Sequence, residues 1–216
     1  TAGFARRNMY VGLKGGFGQV RFGRHDTPLK MVQGKFDQFG DTDADIKGAL
    51  SISQGENRLG NVVAYINKFS DVTLAVALIP GEGNGTTGGN GFADTTSIAA
   101  MWKSGPAFVS LAMDSYDDTG GTITEDLTRL VATYTMGTMD MGFLFETSGT
   151  SNNSDKDVMG LSFAMGMGKN KAKFQYMTGD INNGNETTQM SVGYDMSLSK
   201  STTAYVMYTD GETENT

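Results

Sequence analysis

The connection from residue 25 to residue 57 concentrates side chains that could attract, repel or bind ions. It spans about 33 residues, and a connection of that length without secondary structure usually has a function. Its carboxylates belong to Asp26, Asp37, Asp41, Asp43, Asp45 and Glu56. Cationic side chains lie on both sides of it and within it, and they belong to Arg7, Lys14, Arg21, Arg24, Lys30 and Arg58.

Three motifs that would make this connection or its surroundings a catalytic or ligand site fail on inspection. The segment 41–45 (Asp-Thr-Asp-Ala-Asp) begins like a calcium loop, but Ile46 replaces the turn glycine and Ile52 the bidentate glutamate. The glycine-rich segment 81–85 is not followed by a helical pattern, as a phosphate loop would be. His25 is the only histidine, there is no Gly-x-Ser-x-Gly elbow, and cysteine is absent. The sequence therefore predicts neither an enzyme nor a metal or cofactor site.

Composition narrows the class of protein further. The net charge is -7 and the isoelectric point is about 4.7, which argues against a nucleic-acid partner. No run of about 18 apolar residues could form a membrane-spanning helix. The mean hydropathy of -0.30 still fits a membrane barrel, because barrel strands alternate apolar and polar side chains. Since the chain begins at Thr1 without a leader, we interpret it as a fragment or a trimmed mature protein.

The elements that must hold these charges are short segments with a period of two. In one of them, Met159, Leu161 and Phe163 alternate with Gly160 and Ser162, so one face is bulky and apolar and the other is small or polar. We predict twelve strands, at 5–13, 17–24, 58–67, 71–80, 95–103, 106–115, 127–135, 139–147, 158–166, 171–179, 187–196 and 201–210. The residues from 212 onwards are predicted to be a loop.

The connections between these strands alternate between short turns and long loops. The long ones are rich in Gly, Asn, Asp and Thr, and they are 25–57, 81–94, 116–126, 148–157 and 180–186. Short turns at one end and long loops at the other are typical of membrane barrels. The pattern therefore favours an all-β, antiparallel transmembrane β-barrel. A soluble or surface-attached β-sandwich that binds glycans or proteins, like an adhesin or lectin, remains the alternative.

Two segments beside the long connection carry a family resemblance. Residues 7–24 read Arg-Asn-Met-Tyr-Val-Gly-Leu-Lys-Gly-Gly-Phe-Gly-Gln-Val-Arg-Phe-Gly-Arg, and residues 57–65 read Asn-Arg-Leu-Gly-Asn-Val-Val-Ala-Tyr. Both resemble the Gram-negative general porins of the proteobacterial, trimeric type. The resemblance implies a barrel of about sixteen strands, of which about twelve are present here. It makes residues 1–216 a single porin domain that lacks the first strands and the last one.

The resemblance also implies a function and a location. Residues 25–57 would fold into the barrel and narrow it, and the protein would be a passive diffusion channel in the bacterial outer membrane. Its partners would be outer-membrane lipid, two further copies in a homotrimer, and the ions and small hydrophilic solutes that permeate. The implied constriction consists of Asp37, Asp41, Asp43 and Asp45 opposed to Arg7, Arg21, Arg24 and Arg58. An acidic connection of this kind favours weak cation preference, although a pore specific for sugars or phosphate remains open.

Arg7 has two possible directions. Alternation along 5–13 puts it on the same face as Met9, Val11 and Leu13, which is the apolar face. The resemblance instead puts it inside the barrel. The sequence leaves both directions open.

Overall fold

The computed structural model describes residues 7–34, 36–47, 52–81, 91–116, 126–149, 155–181 and 185–215. Within these ranges the chain forms twelve strands and one short helix. They are β1 (Met9–Gly15), β2 (Gly18–Asp26), α1 (Pro28–Val32), β3 (Arg58–Phe69), β4 (Val72–Ile79), β5 (Thr95–Ser104), β6 (Ala107–Tyr116), β7 (Asp126–Met136), β8 (Met139–Gly149), β9 (Lys156–Met167), β10 (Asn170–Ile181), β11 (Asn185–Ser197) and β12 (Thr203–Asn215). None of the helical residues described here forms a segment long and apolar enough to cross a bilayer.

The strands form one antiparallel sheet in which each strand pairs with its neighbours in sequence, from β1 to β12. This confirms the predicted antiparallel architecture and its twelve strands. Most strand bounds differ from the prediction by no more than two residues, and the larger differences are at the two ends of the sheet. Residues 5 and 6 of the first predicted strand lie outside the described ranges. Strand β1 begins at Met9 and continues to Gly15, and β12 extends to Asn215. The end of β12 was predicted to be a loop, but Glu212, Thr213 and Glu214 continue the ladder against residues 186–188 of β11.

The two faces of the sheet differ sharply. On β6, Leu111 and Met113 are 49% and 57% exposed, whereas Ser110, Ala112 and Asp114 between and beside them are buried. The same alternation continues along β7 to β11. Phe143 and Val192 remain exposed on the apolar face instead of packing against a second sheet. The β-sandwich alternative is therefore wrong, because its apolar face would be covered by protein.

The buried core lies on the other face, which is called the inner face below. Residues 27–57, called the inner segment and described for 27–34, 36–47 and 52–57, pack against it. In one cluster Leu29 and Val32 of α1 lie on the small side chains Ala75, Ala99 and Ala112. In another, residues of the inner segment and of the strands pack together; they are Phe36, Ile46, Ile52, Val131, Leu144, Val158 and Met177. The inner segment thus buries apolar side chains of the inner face in these two clusters.

Candidate functional site

The inner segment begins with a capped helix fixed to the sheet. The Thr27 hydroxyl accepts a hydrogen bond from the Lys30 amide at 3.2 Å, and Pro28 occupies the first turn, where its missing amide costs nothing. The Leu29 amide, otherwise unsatisfied at a helix start, donates to the Ser97 hydroxyl on β5 at 3.2 Å. These contacts explain why a helix of only five residues has a fixed position on the inner face of the sheet.

Glycines on the inner face of the sheet make room for two aromatic rings of the inner segment. A Cβ atom added to Gly160 would lie 2.5 Å from the Cζ atom of Phe36, and one added to Gly193 would lie 2.7 Å from the Cε1 atom of Phe39. Real Cβ contacts are never so short, so both positions require glycine for this packing. The rings fill the space that the small side chains leave, which seats the segment across β8 to β11.

A buried ionic network attaches the returning part of the inner segment. Arg129 on β7 is fully buried and pairs with Glu146 on β8 at 2.7 Å and with Glu56 at 3.0 Å. Its guanidinium also donates to the Ser53 hydroxyl at 2.9 Å and to the Gln54 carbonyl. The Gln54 amide in turn donates to Glu146 at 2.6 Å. Buried charges are tolerated only when they are paired and hydrogen-bonded, and here each has several partners.

Amide side chains of β10 and β11 hold the middle of the inner segment. Gln175 and Gln189 both donate to the Ala44 carbonyl, at 3.4 and 3.2 Å. The side-chain oxygen of Gln175 also accepts from the backbone amide of Gln38 at 3.1 Å. The Lys171 ammonium donates to the side-chain oxygen of Gln38 at 3.0 Å. The contacts of the segment therefore extend from β4 to β11 along the inner face.

The four predicted aspartates occupy different environments. Asp41 and Asp43 are exposed, and Asp41 pairs with Arg7 at 3.3 Å. Asp45 accepts from the amides of Asp41 at 3.1 Å and of Lys47 at 2.9 Å, so its carboxylate also shapes the loop. Asp37 accepts from the Phe39 amide at 2.9 Å. Burial, reinforced by the nearby negative charge of Asp45, raises the pKa of Asp37 to about 7.

The four predicted arginines have different partners. Arg7 precedes the first residue of β1, so strand alternation does not fix its direction, and its guanidinium reaches Asp41. Arg58 pairs with Asp26 at 2.8 Å. Arg21 contacts the His25 ring and donates to Gln19 at 2.8 Å, and it lies 4.7 Å from the ring centre of Tyr10.

Arg24 lies apart from the other three. It is the cross-strand partner of Met9, which belongs to the apolar face. A register shift between Gly23 and His25 interrupts the alternation at this point. The Nε atom of Arg24 is buried without a hydrogen-bond partner among the residues described.

The comparison with protein families decides the class. The Gram-negative porin model matches residues 1–216, the whole chain. The chain belongs to the Gram-negative porin family. As a member of this family it is an outer-membrane channel protein of β-barrel fold, not an enzyme.

Solved structures agree on the fold of this porin. An anion-selective porin from Comamonas acidovorans superposes with a TM-score of 0.81 at 22% identity, covering 97% of this chain and 68% of that one. OmpF from Salmonella typhi, solved with daunomycin, gives 0.75 at 12% identity, covering 94% and 70%. OmpT from Vibrio cholerae in its trimer form gives 0.69 at 17% identity, covering 96% and 70%. A search of curated proteins found no match to the sequence.

Sequence reasoning passed over the residues that anchor the porin's inner segment. Arg129 and Glu146 are not among the predicted site residues, yet both are buried in the ionic network. A signal was available. The two residues flank the predicted short turn at 137–138 symmetrically, and the register pairs them directly across β7 and β8. Opposite charges facing each other across strands on the non-apolar face indicate an ion pair.

Proposed function

We propose that this porin is a general diffusion channel whose width and ion preference are set by the inner segment. The observation that supports this most strongly is the attachment of the segment to the inner face both at its middle and in its returning part. Arg129 holds residues 53–56, and Gln175 and Gln189 hold Ala44. A segment fixed in this way inside a barrel reduces the cross-section through which ions and small hydrophilic solutes pass.

The exposed carboxylates of the inner segment form the acidic side of the proposed constriction. They belong to Asp41 and Asp43, with the half-buried Asp45 near them and Asp37 partly ionised near pH 7. Arg7, Arg21 and Arg58 form the basic side. Opposed charges create a field across the path in which water and dipolar solutes align, and apolar solutes are disfavoured because they break that order. Transport is passive, and no bond is made or broken.

We propose a weak preference for cations. Several wall cations are already neutralised by a partner, since Arg58 pairs with Asp26 and Lys173 pairs with Asp195 at 2.9 Å. Asp43, by contrast, has no cationic partner within the described residues and is exposed. Each of these pairs cancels one cation against one anion, whereas the charge of Asp43 is left to attract cations to the proposed path.

Anion preference is the second candidate. Arg21 favours it, because the contacts of its guanidinium are with His25, Gln19 and the Tyr10 ring, none of them a carboxylate. The Comamonas acidovorans protein is an anion-selective porin, but 22% identity carries over the fold and not the charges. Reversal potentials distinguish the two candidates directly.

We also propose that the porin works as a homotrimer in outer-membrane lipid. The apolar side chains of β1 are among the most exposed of the sheet, with Val11 72% and Leu13 69% exposed. Apolar surface of this kind is stable only against lipid or another subunit. The in-vitro folded OmpT of Vibrio cholerae is described as a trimer form.

Single-channel recording of the full-length protein in planar bilayers tests these proposals. Stepwise conductance is expected, with a reversal potential in a potassium chloride gradient that indicates mild cation preference. Asp43→Asn should move that potential towards the chloride value. Asp71→Asn makes the same charge change at the opposite end of β3 and should not. Well-folded trimers without conductance would exclude the channel, and a clear chloride preference would exclude the cation preference.

A further inference from the structure

Three stretches of the inner segment enclose a polar cleft of about 250 Å³. Its lining residues define what is called the loop cleft here; they are Lys30, Thr42, Asp45, Lys47 and Glu56. The volume equals that of about eight water molecules at roughly 30 Å³ each. It lies below the roughly 300–1,000 Å³ of sites that hold drug-sized ligands, so the loop cleft suits a small solute.

Two of the four charges in the loop cleft compensate each other. Glu56 pairs with Lys30 at 3.3 Å and with the buried Arg129 at 3.0 Å. The Lys30 ammonium also donates to the Glu56 carbonyl at 3.4 Å. These groups hold the beginning and the end of the inner segment together. Because both groups already have partners, they have little capacity left for a ligand.

The other two charges are available. Within the described ranges, the Lys47 ammonium has no ion pair or hydrogen bond, and its side chain is exposed. The Asp45 carboxylate receives only the backbone amides of Asp41 and Lys47, and no cation among the same residues pairs with it. One unpaired cation and one unpaired anion therefore line the same small cavity.

The backbone next to Asp45 is held in place before any solute arrives. The Asp45 amide donates to the Thr42 carbonyl at 3.1 Å, and the Thr42 hydroxyl donates to the Phe39 carbonyl at 2.6 Å. The carbonyl of Ala44, between Thr42 and Asp45, accepts from Gln175 and Gln189 on the wall. Preorganised groups bind a ligand without an ordering cost, which increases even a weak attraction.

We propose that the loop cleft is a transient binding site for small zwitterions that carry both an ammonium and a carboxylate, as amino acids do. The ammonium of the solute pairs with Asp45 and its carboxylate pairs with Lys47. Exposed ion pairs are weak, so the site raises the local concentration of such solutes without retaining them, as permeation requires. The inference rests on the proposed channel function, because the cleft must border the path that solutes follow.

Uptake by liposomes that contain the full-length porin tests this site. The probes are glycine, its neutral analogue glycolamide, the cation glycinamide and the anion glycolate. The wild type is expected to take up glycine faster than glycolamide. Lys47→Gln should lower the glycine-to-glycolamide ratio by roughly two- to fivefold, the range for one exposed ion pair, and should also slow glycolate without slowing glycinamide. Asp45→Asn should lower the ratio similarly but slow glycinamide instead of glycolate.

Lys103→Gln is the matched control, since it removes an exposed ammonium at the opposite end of the strands and should leave the ratio unchanged. Potassium chloride conductance in bilayers shows whether each variant still forms a channel. Conducting variants with an unchanged glycine-to-glycolamide ratio overturn the zwitterion site and leave the channel function intact. Absence of conductance in the wild type overturns the channel function and therefore also the zwitterion site. Equal slowing of all four probes by Lys47→Gln overturns the site too, since that result indicates a change of width.

Discussion

The inner segment presents two sides with similar charged residues in opposite environments. On the side that faces the wall, Glu56 meets Arg129, which is 0% exposed and also pairs with Glu146. On the other side, Asp41 and Arg7 form a pair whose side chains are 78% and 72% exposed. Both pairs join an arginine to a carboxylate of the same segment. Only their surroundings differ: the buried pair fixes the segment in place, and the exposed pair can be reached by ions.

The free-energy cost of losing an ion pair differs several-fold between the two sides. Removing one partner of a buried ion pair costs about 3–5 kcal/mol, because an uncompensated charge remains in a poorly solvated place. An exposed pair contributes about 0–1 kcal/mol and is screened by salt. The wall side therefore determines where the segment lies, and the open side determines which ions and solutes it attracts.

Arg129→Met is the variant expected to have the largest effect. It leaves Glu146 buried without its cation and removes the donors to Ser53 and Gln54. We expect the free energy of unfolding to fall by about 3–5 kcal/mol, measured by urea titration in detergent micelles. We also expect larger and noisier single-channel currents, because the returning part of the segment is released from β7 and β8.

Arg7→Met provides the matched control for that variant. It also removes an arginine that pairs with a carboxylate of the inner segment, but the pair is the exposed one with Asp41. Its cost in unfolding free energy should stay within about 1 kcal/mol, and its current noise should match the wild type. Equal losses in the two variants would contradict the distinction between the wall side and the open side.

Gly160→Ala tests the wall side through packing instead of charge. The new Cβ atom would lie 2.5 Å from the Cζ atom of the buried Phe36, so the ring must move. We expect a loss of about 1–3 kcal/mol, the usual cost of overpacking. At Gly60 a Cβ atom meets nothing within 4 Å, so Gly60→Ala should leave stability within about 0.5 kcal/mol of the wild type.

A double mutant shows whether the contact with Phe36 is the cause. Phe36→Ala removes the ring that the new methyl group displaces, and it has its own cost. If the ring is responsible, Gly160→Ala should cost much less in the Phe36→Ala background than in the wild type. An equal cost in both backgrounds would assign the loss to the strand itself.

Much of the sheet could be predicted from the sequence because its signals are local. Alternation along β9 identified the apolar face, since Met159 and Leu161 are exposed and Gly160 and Ser162 are buried. The turns joined each strand to its neighbour, and the register followed from them. Local rules failed at Arg24, where the register shift after Gly23 resets the alternation.

The path of the inner segment could not be predicted, because its contacts join residues distant in sequence. The hydrogen bond from Gln189 to the Ala44 carbonyl spans 145 residues. Nothing near Phe36 in sequence indicates that its ring rests on Gly142 and Gly160. The acidic residues were recognisable as a set, but their division into buried and exposed members depends on this path.

Asp43→Asn tests the open side with a smaller expected effect. An ion that passes about 10 Å from one carboxylate in water gains roughly 0.4 kcal/mol, or about a factor of two in local concentration. An anion at the same distance loses the same amount, so the ratio of cation to anion permeability should fall by at most about fourfold. Because the Debye length shortens from about 30 Å at 0.01 M salt to about 3 Å at 1 M, the change should vanish at high salt. A change that persists in 1 M salt would indicate altered width instead of altered charge.

Asp37 lies between the two sides and should give the smallest effect. Its Oδ1 atom accepts from the Phe39 amide, whereas its Oδ2 atom is buried without a hydrogen-bond partner among the residues described. Burial first, and then the charges of Asp45 and Glu56 against the opposing influence of Lys173, raise its pKa from 3.8 to about 7. Its carboxyl is therefore protonated below that pH, and cation preference should rise between pH 6 and pH 8.

The raised pKa of Asp37 also predicts the sign of a stability effect. Between pH 3.8 and about 7 the folded state keeps a proton that the unfolded state has lost. The contribution of Asp37 to stability therefore falls as pH rises through this range. Asp37→Asn cannot titrate, so its unfolding free energy relative to the wild type should rise from pH 5 to pH 8, and its cation preference should change less between pH 6 and pH 8. Parallel pH profiles for variant and wild type would mean that Asp37 ionises in the folded porin as it does in water, and would place it on the open side.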